Sequence, residues 1–171
     1  MPSSEHDRYV LHLNHALAME SALVDHLEKR AQEITSPKIK QRVEQHRGET
    51  IEHRETVRGV IQSMGGQPTS GKASVQSPIS PGLIGTVRSA LEGEKQDKAL
   101  SQMQADYSVE EFEAALYQDL AQIARNLGHS DHAPLFDRIR EEEQGMAEFL
   151  ASCGPQAVDE AFPPITGERA A

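Results

Sequence analysis

Glu20 stands where an uncharged residue belongs. Residues 13–27, LNHALAMESALVDHL, repeat their apolar positions Leu13, Ala16, Leu17, Leu23, Val24 and Leu27 at the spacing of one helix face, and Glu20 falls in the middle of it. The oddity recurs three times. In residues 103–127 the stripe Met103, Glu110, Glu113, Tyr117, Leu120, Ala124, Leu127 carries two carboxylates, and in the stripe Phe136, Ile139, Glu143, Met146, Leu150 one more. Between Ile39 and Val60 the stripe reads Ile39, Val43, His46, Thr50, His53, Val57, Val60, with Glu49 at its border one turn before His53.

Carboxylates on buried faces demand compensation. Five of them, at several kcal/mol each, would exceed the roughly 5–15 kcal/mol that holds a whole domain together. They must be protonated, hydrated, paired with cationic side chains or bound to cations. Arg42, Arg54, Arg58, Arg138 and Arg140 are near enough in sequence to offer guanidinium pairing, and that is the purely structural alternative. Two divalent ions would instead neutralise most of the charge at once. An oxygen-rich set with one or two imidazoles suits iron or manganese. The expected ligands are Glu20, Glu49, His53, Glu110, Glu113 and Glu143, with Glu49 and Glu143 bridging or flanking the ions. His46 is a weaker candidate, and Tyr117, one turn beyond Glu113, reads first as a core residue.

These side chains need helices to carry them. Helix 1 is expected from near Ser4 to about Ile34. Ser36 and Pro37 restart the chain as N-cap and first helical residue, and helix 2 ends at Gly65-Gly66. Residues 67–81 are rich in Pro, Ser and Gly and read as loop, and 83–91 as a short extra helix. Helix 3 is expected from about Lys95 to Leu127, ended by Gly128. Helix 4 is expected from a Ser130 or Asp131 cap, through Pro134, to about Ser152. After Gly154 the two prolines Pro163 and Pro164 and the lack of periodicity predict an extended or mobile tail over 155–171, leaving 1–154 as the bundle. The chain is thus all-α: two antiparallel hairpins joined by a long crossover, the connectivity of ferritin-like four-helix bundles.

Depth agrees with this arrangement. Glu20 lies about 16 residues before the first hairpin turn and Glu49 about 13 after it. Glu113 lies about 17 before the second and Glu143 about 13 after. At ~1.5 Å per residue the mismatches are roughly 4 to 6 Å, a span that two ions ~3.5–4 Å apart would largely fill.

Composition narrows the function classes. With 27 acidic against 17 basic side chains, a net charge of −10, the chain lacks the basic stripe that nucleic-acid binding requires. Cys153 is the sole cysteine, so neither an intrachain disulfide nor a thiolate cage is available, and a reducing cytoplasm is the expected compartment. No apolar run approaches the roughly 20 residues of a membrane span.

The motifs also resemble a known family, the YciE/YciF-type ferritin-like stress proteins, over roughly residues 8 to 152. The matching segments are Ala18-Met19-Glu20-Ser21-Ala22-Leu23 in helix 1, His46, Glu49, Thr50 and His53 in helix 2, Glu110-Glu111-Phe112-Glu113 to Tyr117 in helix 3, and Glu141-Glu142-Glu143 in helix 4. The more distant rubrerythrins are similar in placing two glutamates three apart, as Glu110 and Glu113 are. The resemblance implies a ferritin-like bundle, a dinuclear iron-type centre, a homodimer and a link to stress. This chain differs from the wider pattern in spacing Glu49 and His53 at i+4, and in offering Met146 and Ala147 where a second helix-4 histidine would sit. The expectation is a metal protein that reacts with O2 or peroxide. The alternative is a structural stress-response bundle whose site is vestigial.

Overall fold

The computed structural model describes residues 4–69 and 97–164. They form four α-helices: α1 (Glu5–Glu33), α2 (Pro37–Ser63), α3 (Lys98–Asn126) and α4 (Ala133–Ala161). Among the described residues there is no strand. The expected short helix over 83–91, most of the loop over 67–81 and the last residues of the tail lie outside them.

Local chemistry sets the helix ends. Ser4 and Asp7 make a reciprocal capping box: the Asp7 backbone N–H donates to Ser4 Oγ at 3.0 Å, and the Ser4 N–H donates to Asp7 Oδ2 at 3.1 Å. Pro37 opens α2 behind Ser36, as its fixed φ favours, although the Ser36 side chain makes no capping bond. Helices α2 and α3 end alike. Gly65 and Gly128 take φ of +70° and +79°, a region that costs glycine nothing, and the next N–H reaches back five residues, Gly66 to Ile61 and His129 to Ala124, each at 2.9 Å.

Two expectations for α4 need correction. Its N-cap is His132, not Ser130 or Asp131. The His132 ring is drawn into the bundle end, where the Tyr9 hydroxyl lies 3.2 Å from Nδ1, so the helix starts one residue later. Nor does the helix stop near Ser152, for residues 155–161 are helical, with Pro155 inside. A proline removes one backbone donor, but the residues after it continue the helix, braced by a Gln156–Glu160 side-chain bond of 2.9 Å. Val158 there shares a groove with Leu100, Met103 and Tyr107 of α3.

The hairpins are α1 with α2 and α3 with α4, and they meet through α1 against α3 and α2 against α4. Apolar side chains gather at both ends of the bundle. One cluster joins Tyr9, Leu13 and Leu17 to Val57, Ile61, Leu120 and Phe136. The other joins Leu27, Ala31, Val43, Met146 and Leu150. Along each helix the carboxylates and histidines fall between these clusters, which shut water out from above and below.

Candidate metal centre

Each helix delivers its polar residues from the buried stripe read in the sequence: Glu20 from α1, His46 and His53 from α2, Glu110 and Glu113 from α3, Glu143 from α4. Glu20 and His53 are fully shielded, and the other four are at most 3 % exposed. The adjacent Thr50 is satisfied locally, its hydroxyl donating to His46 O at 2.9 Å.

Glu143 is the hub. Its Oε1 lies 2.8 Å from His53 Nδ1 and its Oε2 3.4 Å from His46 Nε2. His46 Nε2 is also 3.0 Å from Glu110 Oε2, and His53 Nδ1 is 3.9 Å from Glu20 Oε1. Two groups result, Glu20 with His53 and Glu143, and His46 with Glu110 and Glu143, each offering three ligand atoms within 4.8 Å of one another. Proximity is not hydrogen bonding here. Glu20 Oε2, Glu110 Oε2, His53 Nδ1 and both oxygens of Glu113 and of Glu143 are buried without a hydrogen-bond partner. Buried polar atoms are nearly always bonded, so this concentration of orphans marks lone pairs aimed at a shared space.

The outer nitrogen of each histidine has its own carboxylate. His46 Nδ1 lies 3.1 Å from Glu49 Oε2, and Glu49 accepts from Arg42 at 3.0 Å and from Gln45 at 2.8 Å. His53 Nε2 lies 2.5 Å from Glu142 Oε2, a side chain partly open to solvent. Such partners fix a ring's tautomer and orientation and raise its basicity as a ligand. Tyr117, wholly buried, donates its hydroxyl to Glu20 Oε1.

Electrostatics follow from this burial. Burial pushes Glu20 up to about 8, aided by the charge of Glu143 and opposed by His53 and Tyr117. Burial likewise raises Glu110, with His46 pulling back, to about 7. Glu113 is driven well above the carboxylate range by burial and by Glu143, Glu20 and Glu110. Burial alone would lower both histidines, but Glu110, Glu49 and Glu143 lift His46 to about 10, and Glu143, Glu20 and Glu142 lift His53 to about 9. On the rim the bond from His46, with Arg42 and Gln45, holds Glu49 down to about 2.

Four of the six expected ligands, Glu20, His53, Glu110 and Glu143, fall into these two groups; Glu113 is buried with both oxygens unpartnered but joins neither, and Glu49 stands behind His46. His46 is in the centre instead, and Glu143 alone joins the two groups. The signal for His46 was its position on the α2 stripe; for Glu142 there was none beyond its neighbour. Of the candidate arginines, Arg42 pairs with the expected ligand Glu49, as the structural alternative had it, while Arg54 and Arg58 pair with Glu55 and Arg138 and Arg140 lie beside Glu142 and Glu141.

A four-helix bundle with carboxylates and histidines projecting into its middle from every helix is a ferritin-like protein. Residues 4–162 match the family described as domain of unknown function DUF892, and the chain belongs to that family. Solved structures agree on the fold. A protein of Xanthomonas campestris is similar at 24 % identity and a TM-score of 0.76, covering 93 % of this chain and 97 % of its own. The E. coli stress protein YciF is similar at 22 % and 0.74, covering 95 % and 99 %. Ferritin-like diiron-carboxylate proteins from Bacillus anthracis are similar at 19 % and 0.64, covering 89 % and 99 %. Among curated proteins, none matches the sequence. Among the described residues, no helix is long and apolar enough to cross a membrane.

Proposed function

We propose that the buried cluster is a dinuclear metal centre for iron or manganese, and that the protein serves in a stress response by reacting with O2 or peroxide. The observation that carries this reading is the set of orphaned ligand atoms on Glu20, His53, Glu110, Glu113 and Glu143. The donor set fits, since carboxylates with two imidazoles suit these metals better than thiolate-seeking ones. Glu20 and His53 would hold one ion, His46 and Glu110 the other, with Glu143 shared and Glu113 completing the set. When bound, such a pair supplies electrons to a small oxidant, one from each metal. The protein's part is to present neutral imidazole nitrogens, with Glu49 and Glu142 holding the protons on His46 Nδ1 and His53 Nε2, and to keep bulk water out with the flanking apolar clusters. The E. coli relative is a stress protein and the Bacillus anthracis relatives are diiron-carboxylate proteins, which supports the same assignment.

Elemental analysis of protein expressed with iron and manganese supplied tests it. At least one equivalent of either metal per chain is expected, and a content far below that refutes the reading. A second reading, a structural bundle with a vestigial site, has one observation in its favour: His46 and His53 each face carboxylates closely enough to neutralise them as imidazolium. Under it, Mn2+ or Fe2+ would leave the melting temperature of the metal-stripped protein unchanged.

A further inference from the structure

At the end of the bundle where the α3–α4 turn lies, one imidazole ties the two hairpins together. His132, the N-cap of α4, is buried with Tyr9 of α1 on one side and Ser63 of α2 on the other. The Tyr9 hydroxyl lies 3.2 Å from Nδ1, and Ser63 Oγ lies 3.4 Å from Nε2. Ser63 gives its own proton to the Val60 carbonyl, 2.8 Å away, so toward the ring it can only accept. Nε2 therefore carries the hydrogen, and the bare Nδ1 accepts from Tyr9. Tyr9 is 1 % exposed, and among the described residues its hydroxyl has no other partner.

We infer that His132 is an acid-sensitive latch: as neutral imidazole it locks α1 and α2 to the α3–α4 turn, and as imidazolium it releases them. A second ring proton would occupy Nδ1 and leave the Tyr9 hydroxyl a buried donor with nothing to receive it. The surroundings oppose the charge as well. The ring is buried, it stands at the positive end of the α4 dipole, and His129 stacks on it at 4.9 Å and 17°. The titratable groups that bear on it are Tyr9 from α1 and His129 and Asp131 from the turn, while α2 brings the Ser63 hydroxyl. Asp131 Oδ2, 3.8 Å from Nε2, favours the cation, but that side chain is 82 % exposed and screened by solvent. Burial prevails and, with His129 set against Asp131, holds His132 below its ordinary 6.5. The latch is thus whole above about pH 6.5 and fails as pH falls through the lower folded value. What it releases is the apolar cluster that closes this end, Tyr9 with Leu13, Ile61 and Phe136. None of its residues is among the proposed metal ligands, so it stands apart from that reading.

Nitrogen-15 NMR of the full chain from about pH 7.5 to 4.5 reads both where the ring proton sits and when the second one arrives. Wild type is expected to show the Nε2–H tautomer at the upper limit and to titrate below 6.5. Amide exchange, corrected for its intrinsic pH dependence, is the second measure. Leu135 and Phe136, bonded to the His132 carbonyl, are expected to lose about tenfold in protection relative to Leu27 and Leu150 at the far end. His132→Asn keeps an acceptor for Tyr9 and a good N-cap but takes no proton, and is expected to hold that ratio constant. Tyr9→Phe removes the donor that needs a bare Nδ1, and is expected to raise the ring's midpoint. An Nδ1–H tautomer, a ring that stays neutral throughout, a midpoint at or above 6.5, or titration without loss of protection overturns the inference on the wild type alone. A loss in His132→Asn equal to wild type, or an unchanged midpoint in Tyr9→Phe, overturns it too.

Discussion

Treated with a chelator, this protein should show an unusual dependence on pH. Folded and metal-free, Glu20 keeps its proton to about pH 8, against an ordinary value of 4.5, and Glu113 is raised in the same direction. Both pKa values are raised, so the stability they provide is full below about pH 4.5 and is lost as pH climbs through the folded values. Between those limits the folded chain holds protons that the unfolded chain has given up, and each such proton lowers stability by ~1.4 kcal/mol per pH unit. Glu20 alone sets a fall of about 1.4 kcal/mol per pH unit, or roughly 3–6 °C in melting temperature for a domain of this size, and Glu113 acts in the same direction. His46 and His53, also raised, add to the fall above their ordinary 6.5. The opposite class, Glu49 and Asp106, is depressed. Their contribution disappears only as pH drops through their folded values, outside this window. Urea melts of chelator-treated protein at about pH 6, 7 and 8 should therefore show steadily falling stability. With Mn2+ present the trend should weaken or reverse, because the ion binds deprotonated ligands and gains affinity as pH rises. A stripped protein whose stability is flat or rising across that range would refute the reasoning.

Further outcomes follow from single contacts. Glu143→Gln should depress metal uptake in both groups, whereas Glu20→Gln and Glu110→Gln should each remove about one equivalent of a two-ion complement; plasma emission analysis of the purified variants distinguishes them. Glu49→Gln and Glu142→Gln should keep the stoichiometry and weaken affinity by about 10- to 100-fold, as loss of a histidine's outer partner does, read by calorimetric titration with Mn2+. Gly66→Ala should destabilise by about 1–3 kcal/mol, because its Cβ would sit 2.8 Å from Val10 Cγ1 and 3.1 Å from the Ile61 carbonyl oxygen; a thermal melt checks it. Pro155→Ala restores a donor inside α4 and should raise helical content and stability, by up to about 3 kcal/mol, seen in circular dichroism and the same melt.

What the sequence determined by itself was periodicity and punctuation. Apolar spacing fixed which face of each helix turns inward, so Glu20, Glu110, Glu113, Glu143 and His53 were legible as buried, and Gly65 and Gly128 marked helix ends that the backbone honours with positive φ. Pro163, Pro164 and the weak periodicity after Gly154 gave no sign that α4 continues through Pro155 to Ala161. The sequence marked the difference between His46 and Glu49 only by their places, on the stripe and at its border. They sit three residues apart, so their side chains point only about 60° from each other, and the packing of α2 against α1 and α4 decides which one enters. It admits His46 on the stripe and leaves Glu49 at the rim beside Arg42. The same holds for the meeting of the hairpins. Each places its carboxylates at one depth through a short turn, but their common height depends on how α1 docks on α3 and α2 on α4, and only that docking brings Glu143 between His46 and His53. Such contacts join residues distant in the chain, and local rules of helix formation carry no information about them.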